Sequence, residues 1–205
     1  FYFEYIRAIY CIELKMNKLA VKLLRGVLVA FSKLPLKVHY FFADIFTWFV
    51  KRVMRYRADV ILVNLARSFP DLKYWDLRKI WNEYYNHLGE IIAETIWFSG
   101  SSYSRLRDNG IVKIVNPEVA SEAYDNSPSV TILSTHCGNW EILGGLLGYE
   151  TLSGKKFSFG EKDITVVYKK LTSDISDRVF ALNRIAPLEE VGVECEVESM
   201  NILRY

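Results

Sequence analysis

The sequence predicts an α/β fold, a mixed and largely parallel sheet flanked by helices, preceded by a basic N-terminal helical region. Three observations predict it. Apolar residues recur at helical spacing up to Gly110, after which short β-rich runs alternate with helical segments. The run ITVVY at 164–168 is continuously apolar, which is typical of a buried parallel strand. Residues 1–57 contain eleven Lys/Arg and three Asp/Glu, whereas the rest of the chain is acidic.

This charge asymmetry is hidden by the formal net charge of +2 of the 205-residue chain. A basic segment rich in aromatic residues indicates an anionic partner. Anionic lipid is favoured over nucleic acid because long apolar side chains interleave with the basic ones. These apolar side chains are Leu23, Leu24, Val27, Leu28 and Phe31. The three cysteines form neither a disulfide framework nor a zinc pattern, which favours a reducing compartment.

Two helices are predicted in the basic region, at 17–34 and at 37–57, separated by Pro35. Neither contains the roughly 18 uninterrupted apolar residues of a spanning helix. We therefore expect residues 1–57 to be a membrane-attachment region, lying in one leaflet or forming a single N-terminal anchor, and residues 58–205 to form the globular domain. The alternative is a pair of core helices in a soluble protein.

The remaining elements follow from periodicity and turn residues. Helical spacing predicts helices at 76–97, 117–124, 139–149 and 173–185, with 58–68 either helical or extended. β-rich runs predict strands at 111–115, 130–135 and 164–168. A further strand at 191–194 and the start of a helix at 199–205 complete the pattern.

The segment THCGNWE at 135–141 carries the candidate chemistry, because it joins a predicted strand to a predicted helix. His136 can accept a proton from a hydroxyl and return it to a leaving group, while Glu141 can orient the imidazole. On one continuous helix these side chains would point about 140° apart. The pair therefore requires His136 to precede the helix, which Asn139 as N-cap and Gly138 as a turn residue favour.

Other interpretations of these residues remain open. Glu141 also suits a plain first-turn acid, since negative charge is favourable at a helix N-terminus. A thiol nucleophile at Cys137 is disfavoured because sequence neighbours point apart. Two ligands are too few for a metal site, and His87 on the 76–97 helix is interpreted as structural.

Four blocks of the sequence, in order, carry a resemblance to a known family. They are the stretch with Tyr56-Arg57, Asn64-Leu65 and Phe69-Pro70, then YYNHLGEIIAETIW, STHCGNWE and VVYKKL. The chain resembles the bacterial lipid A biosynthesis acyltransferases, the lauroyl/myristoyl transferases of the wider lysophospholipid acyltransferase group.

The resemblance implies a glycerolipid acyltransferase-like fold on the cytoplasmic face of the inner membrane. It implies transfer of a fatty acyl chain from acyl carrier protein to a hydroxyl of a lipid A precursor, with no metal or cofactor because the thioester is already activated. His136 takes the position of the base and Glu141 that of its acidic partner. The substrate-binding positions are Gly138, Asn139, Lys169 and Arg184, where the backbone at Gly138–Asn139 or the Arg184 side chain would stabilise the oxyanion.

The chain also departs from the family pattern. Ala58-Asp59 replaces basic residues, and Cys137 replaces a residue that is more often aromatic. Members usually continue for tens of residues further, so the acyltransferase domain is expected to be truncated at its C-terminus. The alternative functions are acylation of another lipid, such as a glycolipid, aminolipid or lysophospholipid, and an inactive membrane-associated remnant.

Overall fold

The structure is a computed structural model that describes residues 18–135, 137–166 and 171–188. It is largely helical, with a small parallel sheet. The α-helices are α1 (18–32), α2 (Leu36–Phe49), α3 (Ala58–Ser68), α4 (Tyr74–Phe98), α5 (Tyr103–Asn109), α6 (Pro117–Asp125) and α7 (Asp174–Arg184). The strands are β1 (Lys113–Ile114) and β2 (Glu150–Thr151). A π-helical segment (Val50–Met54) and two 3₁₀ helices (Trp140–Gly148 and Glu161–Asp163) complete the described elements; Trp140–Gly148 is called the motif helix below.

The two predicted N-terminal helices are present, but the second ends earlier than expected. Pro35 separates α1 from α2, as its fixed φ and missing N–H favour. After α2 the chain continues as a π-helical segment, and Arg55 and Arg57 then adopt left-handed backbone conformations with φ of 49° and 53°. Such a conformation cannot continue a right-handed helix, so the helical run predicted at 37–57 stops before Arg55.

Helix α4 is the central element, and its buried side recurs mainly every four residues. This stripe comprises Leu77, Trp81, Tyr85, Gly89, Ala93 and Trp97. Helix α2 packs along it, and Gly89 allows the close approach because a Cβ there would collide with the Thr47 side chain. Helix α3 covers the earlier part of α4 through Ile61, which lies in one apolar cluster with Trp81 and Tyr85.

A second apolar cluster fixes the motif helix against the end of α4. It contains Trp97, Phe98, Tyr103, Leu106, Ile142 and Tyr149. The Tyr149 hydroxyl donates a 2.6 Å hydrogen bond to the carbonyl oxygen of Ile142, which closes the motif helix on itself. Burial of these aromatic side chains stabilises the position of the motif helix by several kcal/mol in total, at about 1.5–3 kcal/mol for each large apolar side chain.

The described sheet is smaller than the sequence predicts. β1 and β2 are parallel, with Lys113 opposite Glu150 and Ile114 opposite Thr151, so the strand predicted at 111–115 is confirmed at its centre.

Two other strand predictions differ from the structure. The strand predicted at 130–135 is wrong, because this segment is unpaired and exposed, with Leu133 89% exposed. Residues 164–166 likewise have no regular structure and are exposed, while 167 and 168 lie outside the described residues. β-rich composition requires a hydrogen-bonded neighbour and apolar cover to form a strand, and neither is present in the described structure for these two segments.

The other helical predictions agree better with the structure. The 117–124 and 173–185 predictions correspond to α6 and α7, and the 58–68 segment is helical rather than extended. The prediction at 139–149 is correct in position, but the helix is of the tighter 3₁₀ type. The elements predicted at 191–194 and 199–205 lie outside the described residues.

Helices α1 to α3 leave many large apolar side chains exposed to solvent. On α1 these include Leu19, Leu23 and Val27, and on α2 they include Phe41, Ile45 and Trp48. Within the part of the chain that the structure describes, none of the helices has both the length and the apolar character needed to cross a bilayer.

Candidate active site

The turn before the motif helix is exposed on both sides of position 136. Thr135 and Cys137 are exposed, and Gly138 has a φ of 70° with open space around its Cα. Glycine adopts this left-handed conformation without steric cost, so the predicted role of Gly138 as a turn residue is confirmed. His136 and Lys169, two of the predicted site residues, lie outside the described residues.

Asn139 begins the motif helix in the way the sequence predicts. Its side-chain Oδ1 accepts a 3.2 Å hydrogen bond from the backbone N–H of Glu141. This is an N-cap interaction, which satisfies one of the N–H groups that the start of a helix leaves without a partner. The cap places Glu141 in the first turn, as predicted, so the motif helix begins only after position 136.

The amide nitrogen of Asn139 bonds to α4, which the sequence did not indicate. Nδ2 donates to the carbonyl oxygen of Ile91 at 3.1 Å and to Oε2 of Glu94 at 3.0 Å. One Asn side chain therefore caps the motif helix with its oxygen and attaches that helix to α4 with its nitrogen. The two ends of the amide are distinguished by their partners, since the oxygen faces a donor and the nitrogen faces acceptors.

Glu141 and Arg184 form a bidentate ion pair that joins the motif helix to α7. Nε of Arg184 donates to Oε2 at 3.1 Å, and Nη2 donates to Oε1 at 2.9 Å. The two side chains are only 13% and 16% exposed, so water screens this pair weakly. Both residues were predicted to belong to the site, but their direct pairing was not.

A close backbone contact accompanies the ion pair. A Cβ at position 144 would collide with the carbonyl oxygen of Arg184, so Gly144 lets the motif helix approach the end of α7. Position 144 needs glycine because a side chain would have no room, and not because the backbone has a conformation that favours glycine. The contact brings Arg184 within reach of Glu141.

Four further residues, missed in the sequence, form hydrogen bonds around the two asparagines that neighbour the pair, Asn139 and Asn183. The Tyr40 hydroxyl donates to Oε1 of Glu94 at 2.9 Å. Asn183, beside Arg184, accepts a 3.2 Å bond from Nη1 of Arg25 and donates a 3.4 Å bond to the carbonyl oxygen of Thr95. Burial lowers the pKa of the Arg25 guanidinium. Burial and then the hydrogen bond to Glu94 raise the pKa of Tyr40.

A signal for one of these residues was present in the sequence. Glu94 follows the apolar residue Ile91 by three positions and so lies on the same side of the predicted helix, where a carboxylate among apolar neighbours needs a partner. Nothing in the spacing identifies Tyr40, Asn183 or Arg25, whose contacts cross 54, 88 and 158 residues.

The arrangement presents a carboxylate of fixed orientation directly after an exposed turn. An ion pair holds Glu141 and a side-chain cap fixes its backbone, so little rotational freedom is left to it. Among the described residues, no three His, Cys, Asp or Glu side chains lie close enough together to hold a metal ion. Such a site suits chemistry in which a negative charge stabilises a neighbouring group that becomes positive.

The sequence also matches a known protein family. The family model for bacterial lipid A biosynthesis acyltransferases matches residues 12–174. No curated protein and no solved structure matches the chain significantly. The matched residues cover most of the chain and include the capped motif helix, Asn139 and Glu141, so the chain belongs to the bacterial lipid A biosynthesis acyltransferase family.

Proposed function

We propose that this chain transfers a fatty acyl chain from acyl carrier protein to a hydroxyl of a lipid A precursor at the cytoplasmic face of the inner membrane. Family membership supports acyl transfer to a lipid. The observation that carries the site assignment is the capped start of the motif helix. Glu141, held by Arg184, lies in the first turn of this helix, directly beyond an exposed turn. In the sequence, His136 precedes Glu141 by five residues.

In the proposed reaction His136 acts as the general base. It removes the proton from the acceptor hydroxyl, the oxygen attacks the thioester carbonyl, and a tetrahedral oxyanion forms. Collapse of this intermediate breaks the C–S bond, and His136 returns the proton to the thiolate of the carrier protein. The products are an ester and a free thiol, so no cofactor or metal is needed.

Glu141 has the role of orienting His136 and stabilising its imidazolium form. A carboxylate beside the base performs this role in acid–base relays. The ion pair with Arg184 supports the proposal because it limits the rotamers available to Glu141. The role that we propose for Arg184 is therefore to hold Glu141, rather than to contact the oxyanion.

The substrate contacts fall to the other predicted residues. The backbone N–H groups of Gly138 and Asn139 are the proposed oxyanion donors, since a left-handed glycine in a turn can direct successive N–H groups toward one point. Lys169 is proposed to bind an anionic group of the acceptor, because lipid A precursors carry phosphates.

We further propose that residues 1–57 attach the protein to the membrane and that residues 58–205 form the acyltransferase domain. The exposed apolar side chains of α1 and α2 support attachment within one leaflet. Lys18 and Lys22 are on α1 near Leu19 and Leu23, which suits contact with anionic lipid head groups.

The donor and the acceptor can be tested together. The purified chain, in vesicles containing phosphatidylglycerol, is given acyl carrier protein or coenzyme A carrying the same acyl group. Each donor is combined with a lipid A precursor, a lysophospholipid or a glycolipid, and the products are identified by mass spectrometry. The proposal predicts ester formation on the lipid A precursor with the carrier-protein donor. Preferential acylation of another lipid, or no product in any combination, would contradict it.

A further inference from the structure

One turn of α4, from Ile91 to Thr95, contacts both halves of the Glu141–Arg184 pair through neighbouring asparagines. On one side, Asn139 bonds to Ile91 and Glu94 and caps the N–H of Glu141. On the other side, Asn183 donates to the carbonyl oxygen of Thr95 and precedes Arg184 in α7. The motif helix and α7 are therefore attached to the same turn, which is called the α4 frame below.

Glu94 occupies the middle of the α4 frame, and each of its oxygens has a separate donor. Oε1 accepts from the Tyr40 hydroxyl at 2.9 Å, and Oε2 accepts from Nδ2 of Asn139 at 3.0 Å. Glu94 is partly buried, and Tyr40 comes from α2, which packs along α4. The carboxylate therefore joins α2, α4 and the motif helix.

The hydrogen-bonding chemistry at this point allows few alternatives. Glu94 offers only acceptors, so the Asn139 side chain must direct its NH₂ group toward α4 and its oxygen toward the N–H of Glu141. An aspartate at position 139 would keep the capping oxygen, but it would bring a second carboxylate to about 3 Å from Glu94, a distance at which like charges repel strongly.

We propose that Asn139 and Glu94 are positioning residues that set the orientation of Glu141 for acyl transfer. Neither side chain contacts the reacting atoms in this proposal; both act through the start of the motif helix. The kinetic part of the proposal rests on the proposed function, because it assigns Glu141 to that reaction. A displacement of about 1 Å at a reacting group can lower a rate roughly a hundredfold, so the loss of this attachment should reduce kcat.

The test uses the full chain and the variants Asn139→Asp, Glu94→Gln and the double variant. Asn139→Asp should lower kcat about tenfold to a hundredfold and leave KM within about twofold, because acyl-donor binding does not depend on Glu141. In the double variant, the glutamine amide introduced at position 94 can donate to the aspartate introduced at position 139, whereas the Ile91 carbonyl oxygen still lacks its donor, so part of the lost kcat should return. Glu90→Gln is the matched control, since Glu90 lies one turn away on α4, is exposed and pairs with His87; it should leave kcat unchanged.

A second measurement tests the attachment of the motif helix to α4 and does not depend on catalysis. Amide hydrogen exchange at Glu141 reports opening of the cap. Asn139→Asp should speed this exchange by about tenfold, since the repulsion weakens the attachment by roughly 1.4 kcal/mol. The double variant should exchange more slowly than Asn139→Asp, because only the contact with position 94 is restored. If Asn139→Asp does not fold, the double variant should fold and keep measurable protection at Glu141.

The outcomes separate the two proposals. The positioning role is supported if Asn139→Asp lowers kcat and speeds exchange at Glu141, and if the double variant recovers in both measurements. The positioning role is overturned if Asn139→Asp keeps the kcat and the exchange rate of the unaltered chain. It is also overturned if the double variant has the same kcat and the same exchange rate as Asn139→Asp. If the unaltered chain transfers no acyl group but the exchange pattern holds, the α4 frame stands as a structural attachment and the proposed function alone fails.

Discussion

The carboxylate of Glu141 and the guanidinium of Arg184 meet through two hydrogen bonds, of 2.9 and 3.1 Å, across 43 residues of sequence. This pair links the first turn of the motif helix to the last turn of α7. The proposed orientation of His136 thus depends on a helix that is distant from it in the sequence. A substitution in α7 should therefore change the rate of the proposed reaction even though the substituted residue does not contact the substrate.

Removal of one partner of this pair should destabilise the fold. Arg184→Gln leaves Glu141 as a largely buried carboxylate without its cation, and breaking such a pair costs about 3 kcal/mol. Urea unfolding of the variant and of the unaltered chain measures the difference in the free energy of unfolding. Lys113→Gln is the matched control, because its pair with Glu150 is half exposed; it should cost about 1 kcal/mol or less. Equal losses in the two variants would contradict the importance of the Glu141–Arg184 pair.

The close approach of Gly144 to Arg184 gives a second prediction. In Gly144→Ala the new methyl group would collide with the Arg184 carbonyl oxygen, so the helices must separate at a cost of about 1–3 kcal/mol. Gly26→Ala has open space and lies within α1, so it should be neutral or stabilise the fold by up to about 1 kcal/mol. Thermal unfolding of both variants measures the contrast. A Gly144→Ala variant as stable as Gly26→Ala would show that the two elements do not pack so closely.

The local features of the site could be predicted from the sequence because they depend on neighbouring residues. Asn139 as a cap, Gly138 as a turn and Glu141 in the first turn all follow from conformational preferences that act over a few residues. Helices α4, α6 and α7 were predictable for the same reason, because apolar periodicity acts over neighbouring turns.

The contacts between distant segments could not be predicted in this way. Spacing does not indicate that Arg184 pairs with Glu141, or that Tyr40 donates to Glu94, since both contacts arise only when helices pack. The strand predicted at 130–135 was wrong for a related reason. β propensity describes how well a residue fits a paired, covered surface, and in the described structure this segment has neither a partner strand nor cover.

Buried His39 predicts a pH dependence of stability. The residue is 2% exposed, its ring lies 5.0 Å from the Phe31 ring, and its Nδ1 is 3.3 Å from the Pro35 carbonyl oxygen. Burial, and to a smaller extent the nearby Arg105 charge, lower the pKa of His39 below its ordinary value of 6.5. As the pH falls below about 6.5, the unfolded chain binds this proton more readily than the folded chain, so stability falls.

Unfolding experiments between about pH 5 and pH 7.5 check this prediction. The free energy of unfolding should decrease toward acid, and His39→Phe should flatten that part of the profile because its ring cannot be protonated. A profile of the same slope in His39→Phe would mean that other groups cause the pH dependence.

Membrane attachment predicts a specific response to lipid charge. Trp48 is 59% exposed on α2, so its fluorescence should shift to shorter wavelength when vesicles rich in phosphatidylglycerol are added. Lys18→Gln with Lys22→Gln should weaken binding by about 2 kcal/mol, or roughly thirtyfold, at about 1 kcal/mol per basic residue. Lys155→Gln with Lys156→Gln, an exposed pair in the loop after β2, is the matched control and should have little effect. Equal binding to phosphatidylcholine vesicles would contradict the electrostatic part of the proposal.

The rate of acyl transfer by His136→Ala, compared with that of the unaltered chain, decides whether His136 is the general base. Acyl carrier protein bearing a radiolabelled acyl group is mixed with excess enzyme and a lipid A precursor, and a single turnover is followed. His136→Ala should transfer the acyl group at least ~10²-fold more slowly, because the acceptor hydroxyl loses its base. His87→Ala, on the exposed face of α4, should retain the full rate. Transfer by His136→Ala at the unaltered rate would show that His136 is not the base.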